Sequence, residues 1–286
     1  MSRRVLVTGA TGTTGSAVVE SLLAADYDAV AAVRDVAAAR ERFGRGVEYA
    51  RFDFTDPATY DALGGADALY LVRPPALSRV HRDVFPVVDA AERAGVERVV
   101  FLSVLGAEKA PPIPHRRIER RLERSSLSHT FLRAAYFMQN LSGVHAVDVR
   151  ERDEVYVPAG TGRVGMVDAR DVAAVAARAL VEPDRANQAY DLTGPEALGF
   201  DAVARTLSSV LGRGIRYPAP SYPAFVRRLR ARGYPWGYVA VLCGIYAPVR
   251  LHRADRVTDA VSRLLGRPPR SFEAFAEGDR SPWSPT

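Results

Sequence analysis

The stretch Val5-Leu-Val-Thr-Gly-Ala-Thr-Gly-Thr-Thr-Gly-Ser-Ala-Val-Val19 decides how the beginning of this chain folds. A short apolar run is followed by Gly9, Gly12 and Gly15, and then by a helical pattern. Glycines in such a strand–turn–helix unit permit the tight turn, the approach of a pyrophosphate and close helix–strand packing. The free N–H groups at the start of the helix bind phosphate. We therefore expect a dinucleotide diphosphate at this loop, with a glycine-rich turn that binds no ligand as the alternative.

Apolar segments alternate with helical patterns through the rest of the first half. The strand-like segments are Arg4–Thr8, Ala29–Val33, Val47–Phe52, Ala68–Val72, Arg98–Leu102 and His129–Leu132. Each of the first five precedes an amphipathic segment about as long as a crossover helix. This alternation predicts an α/β fold built on a doubly wound, parallel Rossmann sheet.

The regular alternation of strand-like and helical segments ends after Arg133. The segment Ala134–Val149 has a helical pattern, whereas Val155–Pro158 and Val164–Val167 are short and strand-like. Beyond Gly194 the sequence is mostly helical, with interruptions by glycine and proline.

These segments predict two domains. We expect a Rossmann domain over residues 1–150, to which residues 163–192 return, and a small, mainly helical substrate domain over residues 193–286. A cleft between two such domains is a common place for a substrate.

Composition narrows the classes of function. The hydrophobic fraction of 48% and the charged fraction of 25% are ordinary for a globular protein. No apolar run reaches the roughly 18–20 residues that cross a bilayer. The single cysteine, Cys243, excludes an internal disulfide. No apolar signal segment follows the N-terminus, so we expect a cytoplasmic protein without a membrane partner.

The charge and the histidines exclude two further classes. The formal net charge is +6, but the arginines are scattered among acids rather than clustered, so we expect no nucleic-acid partner. The five histidines lack the spacing of metal ligands, so we expect no metal.

The residues after the second and third strands indicate which dinucleotide binds. In Val33-Arg34-Asp35 the arginine can pair with the 2′-phosphate of NADP, whereas an acid there would favour NAD. We expect NADP(H), with Asp35 capping the next helix and a solvated Arg34 as the alternative. Asp53, followed by Phe54, lies where an adenine amino group could bind, although Asp53 can equally be a turn residue.

With these residues in place, the chain resembles the NmrA-like group of atypical short-chain dehydrogenase/reductases. The resemblance covers nearly the whole length. Its matching segments are the glycine-rich start, Val33-Arg34-Asp35, Leu71-Val-Arg-Pro-Pro75, Val99-Val-Phe-Leu-Ser103, His115-x-x-x-Glu119, Thr130-Phe-Leu-Arg133, Phe137-Met-Gln-Asn140 and Val167-Asp-x-Arg-Asp-Val172. Ala134-Ala135 departs from the group, which usually has proline after the arginine.

The resemblance implies a Rossmann fold that binds NADP(H). It places Val72-Arg73-Pro74 and Leu102-Ser103-Val104 along the nicotinamide half, and brings Tyr136, Phe137 and Met138 to the ring or the substrate. The full set of expected cofactor contacts is Thr8, Gly9, Thr11, Gly12, Thr13, Thr14, Gly15, Arg34, Asp53, Phe54, Val72, Arg73, Pro74, Leu102, Ser103, Val104, Tyr136 and Phe137.

The catalytic tyrosine and lysine of ordinary short-chain reductases are missing. No tyrosine lies between Tyr70 and Tyr136, and the one lysine, Lys109, does not follow a tyrosine by four residues. His115 stands near the expected place and titrates near neutral pH when unperturbed. Glu119, one helical turn on, could orient and charge it, although the surrounding arginines and acids suggest a solvated face. Ser103 and Tyr136 are the other candidate catalytic groups.

Two main hypotheses remain from the sequence. The first is an NADPH-dependent reductase of a small or medium apolar, conjugated acceptor such as an enone, a quinone or an iminium ion, because such acceptors need little acid catalysis. The second is a non-catalytic, NADP-binding redox sensor or regulator. A scaffold that binds no nucleotide is a third, minor possibility. The expected partner is a small molecule, and a homo-oligomer is possible.

Overall fold

The computed structural model describes residues 3–44 and 46–284. Its strands are β1 (Arg4–Val7), β2 (Asp28–Val33), β3 (Glu48–Arg51), β4 (Ala68–Leu71), β5 (Arg98–Val104), β6 (Ser128–Ala134), β7 (Tyr136–Phe137), β8 (Arg163–Val167), β9 (Gln188–Leu192) and β10 (Ala197–Gly199). Among the described residues, no helix is both long enough and apolar enough to cross a bilayer.

The α-helices follow in chain order. They are α1 (Thr13–Leu23), α2 (Val36–Phe43), α3 (Val80–Asp83), α4 (Phe85–Arg93), α5 (Pro114–Glu123), α6 (Gln139–Ser142), α7 (Ala146–Arg152), α8 (Ala169–Val181), α9 (Phe200–Leu211), α10 (Tyr222–Ala231), α11 (Trp236–Arg250), α12 (Ala260–Leu265) and α13 (Phe272–Gly278).

The first compact unit comprises the chain through Ala134 together with Ala169–Leu192. Its strands form one parallel sheet in the order β3-β2-β1-β4-β5-β6-β9. On one face α1 packs against α8, and on the other α3, α4 and α5 cover a core that includes Leu69, Phe101 and Val88. Helices on both faces of a parallel sheet confirm the predicted doubly wound Rossmann fold.

The order of the strands indicates where a ligand binds in a fold of this kind. The chain runs outward from β1 to β2 and β3, and then returns to the other side of β1 with β4. In open parallel sheets the point where the order reverses leaves a crevice at the carboxyl ends of the strands, where ligands bind. The β1–β4 junction is therefore the expected cofactor crevice of this unit.

The second unit comprises Ala135–Asp168 and the chain from Thr193 onward. A small sheet, in the order β10-β8-β7, lies in this unit with helices whose core includes Phe200, Phe225 and Tyr246. The indole N–H of Trp283 donates to the carbonyl of Leu141 at 2.8 Å, which ties the end of the described chain to α6.

Several elements differ from the sequence predictions. The helix predicted over Ala134–Val149 is wrong, since this segment contains β7, α6 and the start of α7. The strand predicted over Val155–Pro158 is absent from the described structure, where Glu154 forms only an isolated bridge with Arg216. The crossover after β3 is a 3-10 helix, Pro57–Leu63, rather than an α-helix.

The domain boundary also differs from the one drawn at residue 150. Ala135–Asp168 groups with the second unit because β7 pairs with β8 and β8 pairs with β10, so this segment builds its own sheet rather than extending the first.

Candidate functional site

The turn between β1 and α1 requires glycine at positions 9 and 15. Gly9 has a φ of +62°, a backbone conformation that side chains disfavour. The N–H of Gly12 donates to the carbonyl of Gly9 at 2.8 Å and closes the turn. A Cβ on Gly15 would lie 2.1 Å from the Gly9 carbonyl oxygen. The glycine at position 15 therefore lets α1 pack directly against the loop.

The helix that leaves this loop presents an open N-terminus. Gly12 is the N-cap and offers no side chain to the free N–H groups, and the first turn contains no acidic residue. The positive end of the helix dipole and the unpaired N–H groups favour an anion there. Thr11, Gly12 and Thr13 are exposed at this point. The geometry fits a diphosphate.

The buried threonines of the motif have a different task. The Thr8 hydroxyl donates to the carbonyl of Tyr70 at 2.9 Å and accepts from the N–H of Val72 at 2.8 Å. It thereby joins β1 to β4 at the reversal point, and its hydroxyl is engaged by the protein. Thr14 is buried in α1.

The ends of β2 and β3 carry the residues expected near the adenosine. Arg34 is exposed, whereas the carboxylate of Asp35 accepts from the N–H of Ala38 at 3.0 Å and caps α2, which confirms its predicted role as a cap. Asp53 accepts from the N–H and the hydroxyl of Thr55, both at 2.8 Å. These hydrogen bonds lower the pKa of Asp53, and the charge of Arg34 lowers it further.

Asp53 therefore has the geometry of a turn residue. Phe54, which follows it, is buried and packs edge-on against Phe52, with the ring centroids 5.2 Å apart. Both remain predicted cofactor contacts.

The segment after β4 and the end of β5 are the predicted borders of the nicotinamide half. Val72 lies beside Gly9, and a Cβ on that glycine would be 3.4 Å from the Cβ of Val72. Arg73 and Pro74 are half-buried in the loop that follows. On the neighbouring strand, Leu102 and Val104 are half-buried and Ser103 is buried.

Ser103 is held by a carboxylate. Its hydroxyl donates to Oε1 of Glu119 at 2.7 Å. Arg116 donates to Oε2 of the same carboxylate at 3.0 Å. Arg133 donates to both oxygens, each at 3.0 Å. The hydroxyl proton of Ser103 is thus donated to Glu119 and is not directed to a substrate oxygen.

His115 lies at the N-terminus of α5, next to Phe101, with the ring centroids 6.1 Å apart. Burial first and the charge of Arg73 second lower the pKa of His115 from 6.5 to about 4, while Glu119 acts in the opposite direction. The imidazole is therefore neutral at neutral pH.

The expectation that Glu119 orients His115 is wrong. Both oxygens of Glu119 are engaged by Ser103, Arg116 and Arg133, and the described residues provide no hydrogen-bond partner for the imidazole. The solvated face suggested by the charged neighbours is confirmed at Arg120, Glu123 and Arg124, which are exposed. It is wrong for Glu119, which is fully buried.

The second unit holds the tyrosine candidate in a buried hydrogen-bonded chain. The hydroxyl of Tyr136 lies 2.8 Å from that of Tyr246, which lies 2.5 Å from Nε2 of His145. All three side chains are buried. Burial raises the pKa of both tyrosines and lowers that of His145 to about 4. Phe137, the next residue, is half-buried.

Sequence reasoning missed Tyr246 and His145. Tyr246 lies on α11, which contains Gly237, Gly244 and Pro248 and therefore looked interrupted. The signal that could have revealed this helix is the spacing of its buried residues, Val239, Leu242, Tyr246 and Val249, which is the apolar stripe of an amphipathic helix.

The structure brings most of the predicted residues to one edge of the first unit. The glycine loop, Arg34, Asp53, Arg73 and Ser103 all lie at or just beyond the carboxyl ends of parallel strands. Tyr136 and Phe137 belong to the second unit. Within residues 3–44 and 46–284, no group of three or more His, Cys, Asp or Glu side chains could hold a metal ion.

Comparisons with known proteins agree with this architecture. The chain is 38% identical to the NAD(P)H azoreductase of Xenophilus azovorans over 278 residues, which are 96% of each chain. Its structure is similar to that of the Citrobacter sp. triphenylmethane reductase complexed with NADP(H), with a TM-score of 0.84, 26% identity and coverage of 95% of this chain and 98% of the other.

The structure is also similar to that of an Escherichia coli NADPH-dependent quinone oxidoreductase complexed with NADPH, with a TM-score of 0.86 and 26% identity. The match covers 96% of this chain and 99% of the other. The model of the NmrA-like family matches residues 1–274. With a family match of this extent, a glycine loop of dinucleotide-binding geometry and a Rossmann sheet to support it, the chain belongs to the NmrA-like family.

Proposed function

We propose that this chain is an NADPH-dependent reductase of a small or medium apolar, conjugated acceptor such as an enone, a quinone or an iminium ion. The observation that carries the cofactor assignment is the loop from Gly9 to Gly15, in which a Cβ on Gly15 would collide with the Gly9 carbonyl at 2.1 Å. The assignment as a reductase is supported by relatives whose names are those of NAD(P)H-dependent or NADPH-dependent reductases.

Residues of this chain account for binding of NADPH. The backbone N–H groups at the start of α1 hold the diphosphate, and Arg34 at the end of β2 pairs with the 2′-phosphate. Val72 to Pro74 and Leu102 to Val104 border the nicotinamide half at the ends of β4 and β5. When bound, the reduced nicotinamide supplies the hydride.

None of the three candidate proton donors among the described residues gives up a proton readily at neutral pH. At a pKa of about 4 the imidazolium form of His115 is scarce, and the hydroxyl of Ser103 is directed to Glu119. The pKa of Tyr136 is raised by burial. A conjugated acceptor suits such a site, because its reduced form can take a proton from water after the hydride has been transferred. A simple ketone needs stronger acid assistance and is a poorer candidate.

The experiment is oxidation of NADPH by the purified chain in the presence of a quinone, an enone, a cyclic imine, an azo dye and a triphenylmethane dye. Absorbance of the reduced nicotinamide reports turnover, and fluorescence titration reports binding separately. We expect micromolar or tighter binding and turnover of at least one acceptor. Binding without any turnover would instead identify an NADP sensor, and an absence of binding would overturn both functions.

A further inference from the structure

One arginine near the proposed nicotinamide site has no anionic partner among the described residues. Nη1 of Arg73 donates to the carbonyl oxygens of Pro74, Pro75 and Leu77 at 2.9, 3.1 and 3.1 Å. These three acceptors belong to the loop that follows β4, so the loop holds the guanidinium in a fixed place. Carbonyl groups supply only partial negative charge.

The positive charge of Arg73 is therefore left uncompensated. In the part of the chain that the structure describes, no carboxylate forms an ion pair with Arg73, and its buried Nε has no hydrogen-bond partner. Burial lowers the pKa of Arg73, yet an arginine stays protonated in proteins. A half-buried charge without a counter-ion is unfavourable unless a ligand supplies one.

No carboxylate among the residues that the structure describes offsets the charge of Arg73. The charge of Arg73 helps to lower the pKa of His115, so the two groups interact, and the neutral imidazole leaves the arginine as the dominant charge. Glu119, the carboxylate that acts on His115, is bound by Arg116 and Arg133. Arg73 and His115 follow β4 and β5, which are adjacent in the sheet at the edge where ligands bind.

We infer that Arg73 binds the atom of the acceptor on which negative charge develops, and that the site therefore reduces neutral or anionic acceptors in preference to cationic ones. The inference rests on the proposed function. In a quinone or enone the electrophilic carbon gains a hydride with its electron pair, and the displaced π pair moves to the oxygen. Arg73 stabilises that oxyanion until water supplies the proton, so that NADPH, acceptor and one proton give NADP⁺ and the dihydro product.

The oxyanion that develops on the acceptor and the diphosphate of the cofactor could both offer anionic oxygen to Arg73. The two are separable because a phosphate contact strengthens cofactor binding for every acceptor alike. An oxyanion contact acts only in the transition state and only for acceptors that become anionic. The choice of acceptor therefore decides between them.

The test compares Arg73→Met with Arg73→Lys, which keeps a positive charge, and with Arg79→Met, an exposed arginine further along the same loop. We measure the Kd of NADPH, and kcat with a neutral quinone and with a cationic triphenylmethane dye. For Arg73→Met we expect kcat for the quinone to fall roughly 10²-fold, as for loss of one oxyanion donor. With the cationic dye, kcat of Arg73→Met should fall by less than about threefold or rise, because no oxyanion forms on that acceptor. The Kd of NADPH should stay within about threefold of the parent value.

Arg73→Lys should recover part of the quinone rate, and Arg79→Met should match the parent. Equal losses with quinone and dye, an unchanged quinone rate, or a Kd that weakens as much as kcat falls would each overturn the inference. The last result would assign Arg73 to the cofactor phosphates.

A measurement without turnover keeps the inference distinct from the proposed function. Bound to the NADP⁺ complex, 4-nitrophenol should ionise more readily than in water, and the visible absorbance of its phenolate reports this. We expect the shift in the parent and in Arg73→Lys, and its loss in Arg73→Met. If no acceptor is reduced but the shift is present, reductase activity fails while the anion site stands. If the parent shows turnover without the shift, the anion site fails alone.

Discussion

Arg133 binds Glu119 in a bidentate manner, with hydrogen bonds from Nε to Oε1 and from Nη2 to Oε2 that are both 3.0 Å long. Glu119 is fully buried on α5, and Arg133 lies on β6. Burial would raise the pKa of Glu119, but the hydrogen bonds from Arg133 and Ser103 outweigh it and lower the pKa. The pair joins α5 to the sheet beside the proposed site.

Arg133→Met should lower the free energy of unfolding by about 3–5 kcal/mol, since it leaves a buried carboxylate short of its main partner. Urea denaturation at neutral pH measures this loss. The double variant Arg133→Met, Glu119→Met should be more stable than the single variant, because the fully buried carboxylate is then removed together with its partner. A double variant less stable than Arg133→Met would contradict this account of the pair.

Gly15→Ala should abolish NADPH binding. The added Cβ would lie 2.1 Å from the Gly9 carbonyl, so either the loop or α1 must move. Fluorescence titration should show a Kd weakened by more than about 100-fold, in line with the loss of several charge-assisted hydrogen bonds. Gly237→Ala, where a Cβ meets no atom within 4 Å, is the control and should bind normally. Unchanged affinity in Gly15→Ala would show that the diphosphate does not bind at this loop.

Arg34→Ala should weaken NADPH more than NADH. Loss of a charge-assisted contact to the 2′-phosphate corresponds to about 1.5–3 kcal/mol, or roughly 10- to 100-fold in Kd. The affinity for NADH, which lacks that phosphate, should change little. Arg93→Ala, which removes an exposed arginine at the end of α4, is the matched control. Equal losses for the two cofactors would cancel the 2′-phosphate assignment.

His115→Ala tests the histidine as proton donor. A general acid contributes about 10²-fold or more to the rate, but at a pKa of about 4 the imidazolium form is scarce at neutral pH. We therefore expect kcat to fall less than about tenfold at neutral pH, with a larger loss as the pH approaches 4. A loss of two orders of magnitude at neutral pH would show that the histidine acts in another way, for example as a neutral hydrogen-bond donor.

His145 should make the second unit sensitive to acid. Its pKa falls from 6.5 to about 4 on folding because the ring is buried. The folded protein thus resists protonation more than the unfolded chain does, and stability is lost as the pH falls from 6.5 toward 4. The full effect corresponds to about 3 kcal/mol.

His145→Gln cannot be protonated and should flatten the decline in stability over that range, as measured by urea denaturation at a series of pH values. Tyr246→Phe, which removes the hydroxyl 2.5 Å from Nε2, should lower stability by about 1–3 kcal/mol but keep the decline. An undiminished slope in His145→Gln would assign the acid sensitivity to other groups, such as His115.

The cofactor half of the site was predictable because its signals are local. Gly9, Gly12 and Gly15 follow a strand and open a helix. Gly12 and Gly15 are constrained by the Gly9 carbonyl only a few positions away, and Gly9 is constrained by its own positive φ. Asp35 caps the helix that it precedes for the same reason. Where the signal was interrupted, as by Gly244 and Pro248 in α11, the prediction missed the element.

Local patterns gave the wrong partner for Glu119. Spacing along α5 offered His115 as its neighbour, but the carboxylate is bound by Ser103 on β5 and Arg133 on β6. Those strands are brought together by sheet register, in which Ser103 pairs with Arg133. A pattern of helical turns carries no information about that pairing.

By itself, the sequence determined the Rossmann alternation, the glycine loop and the absence of a tyrosine between Tyr70 and Tyr136, because each depends on the order of residues along the chain. Only the tertiary structure decided that Glu119 is buried, that His115 is neutral and that Arg73 has no counter-ion within residues 3–44 and 46–284. Charge and protonation depend on which groups the fold places within a few ångströms and how much water it removes, and those neighbours come from distant parts of the sequence.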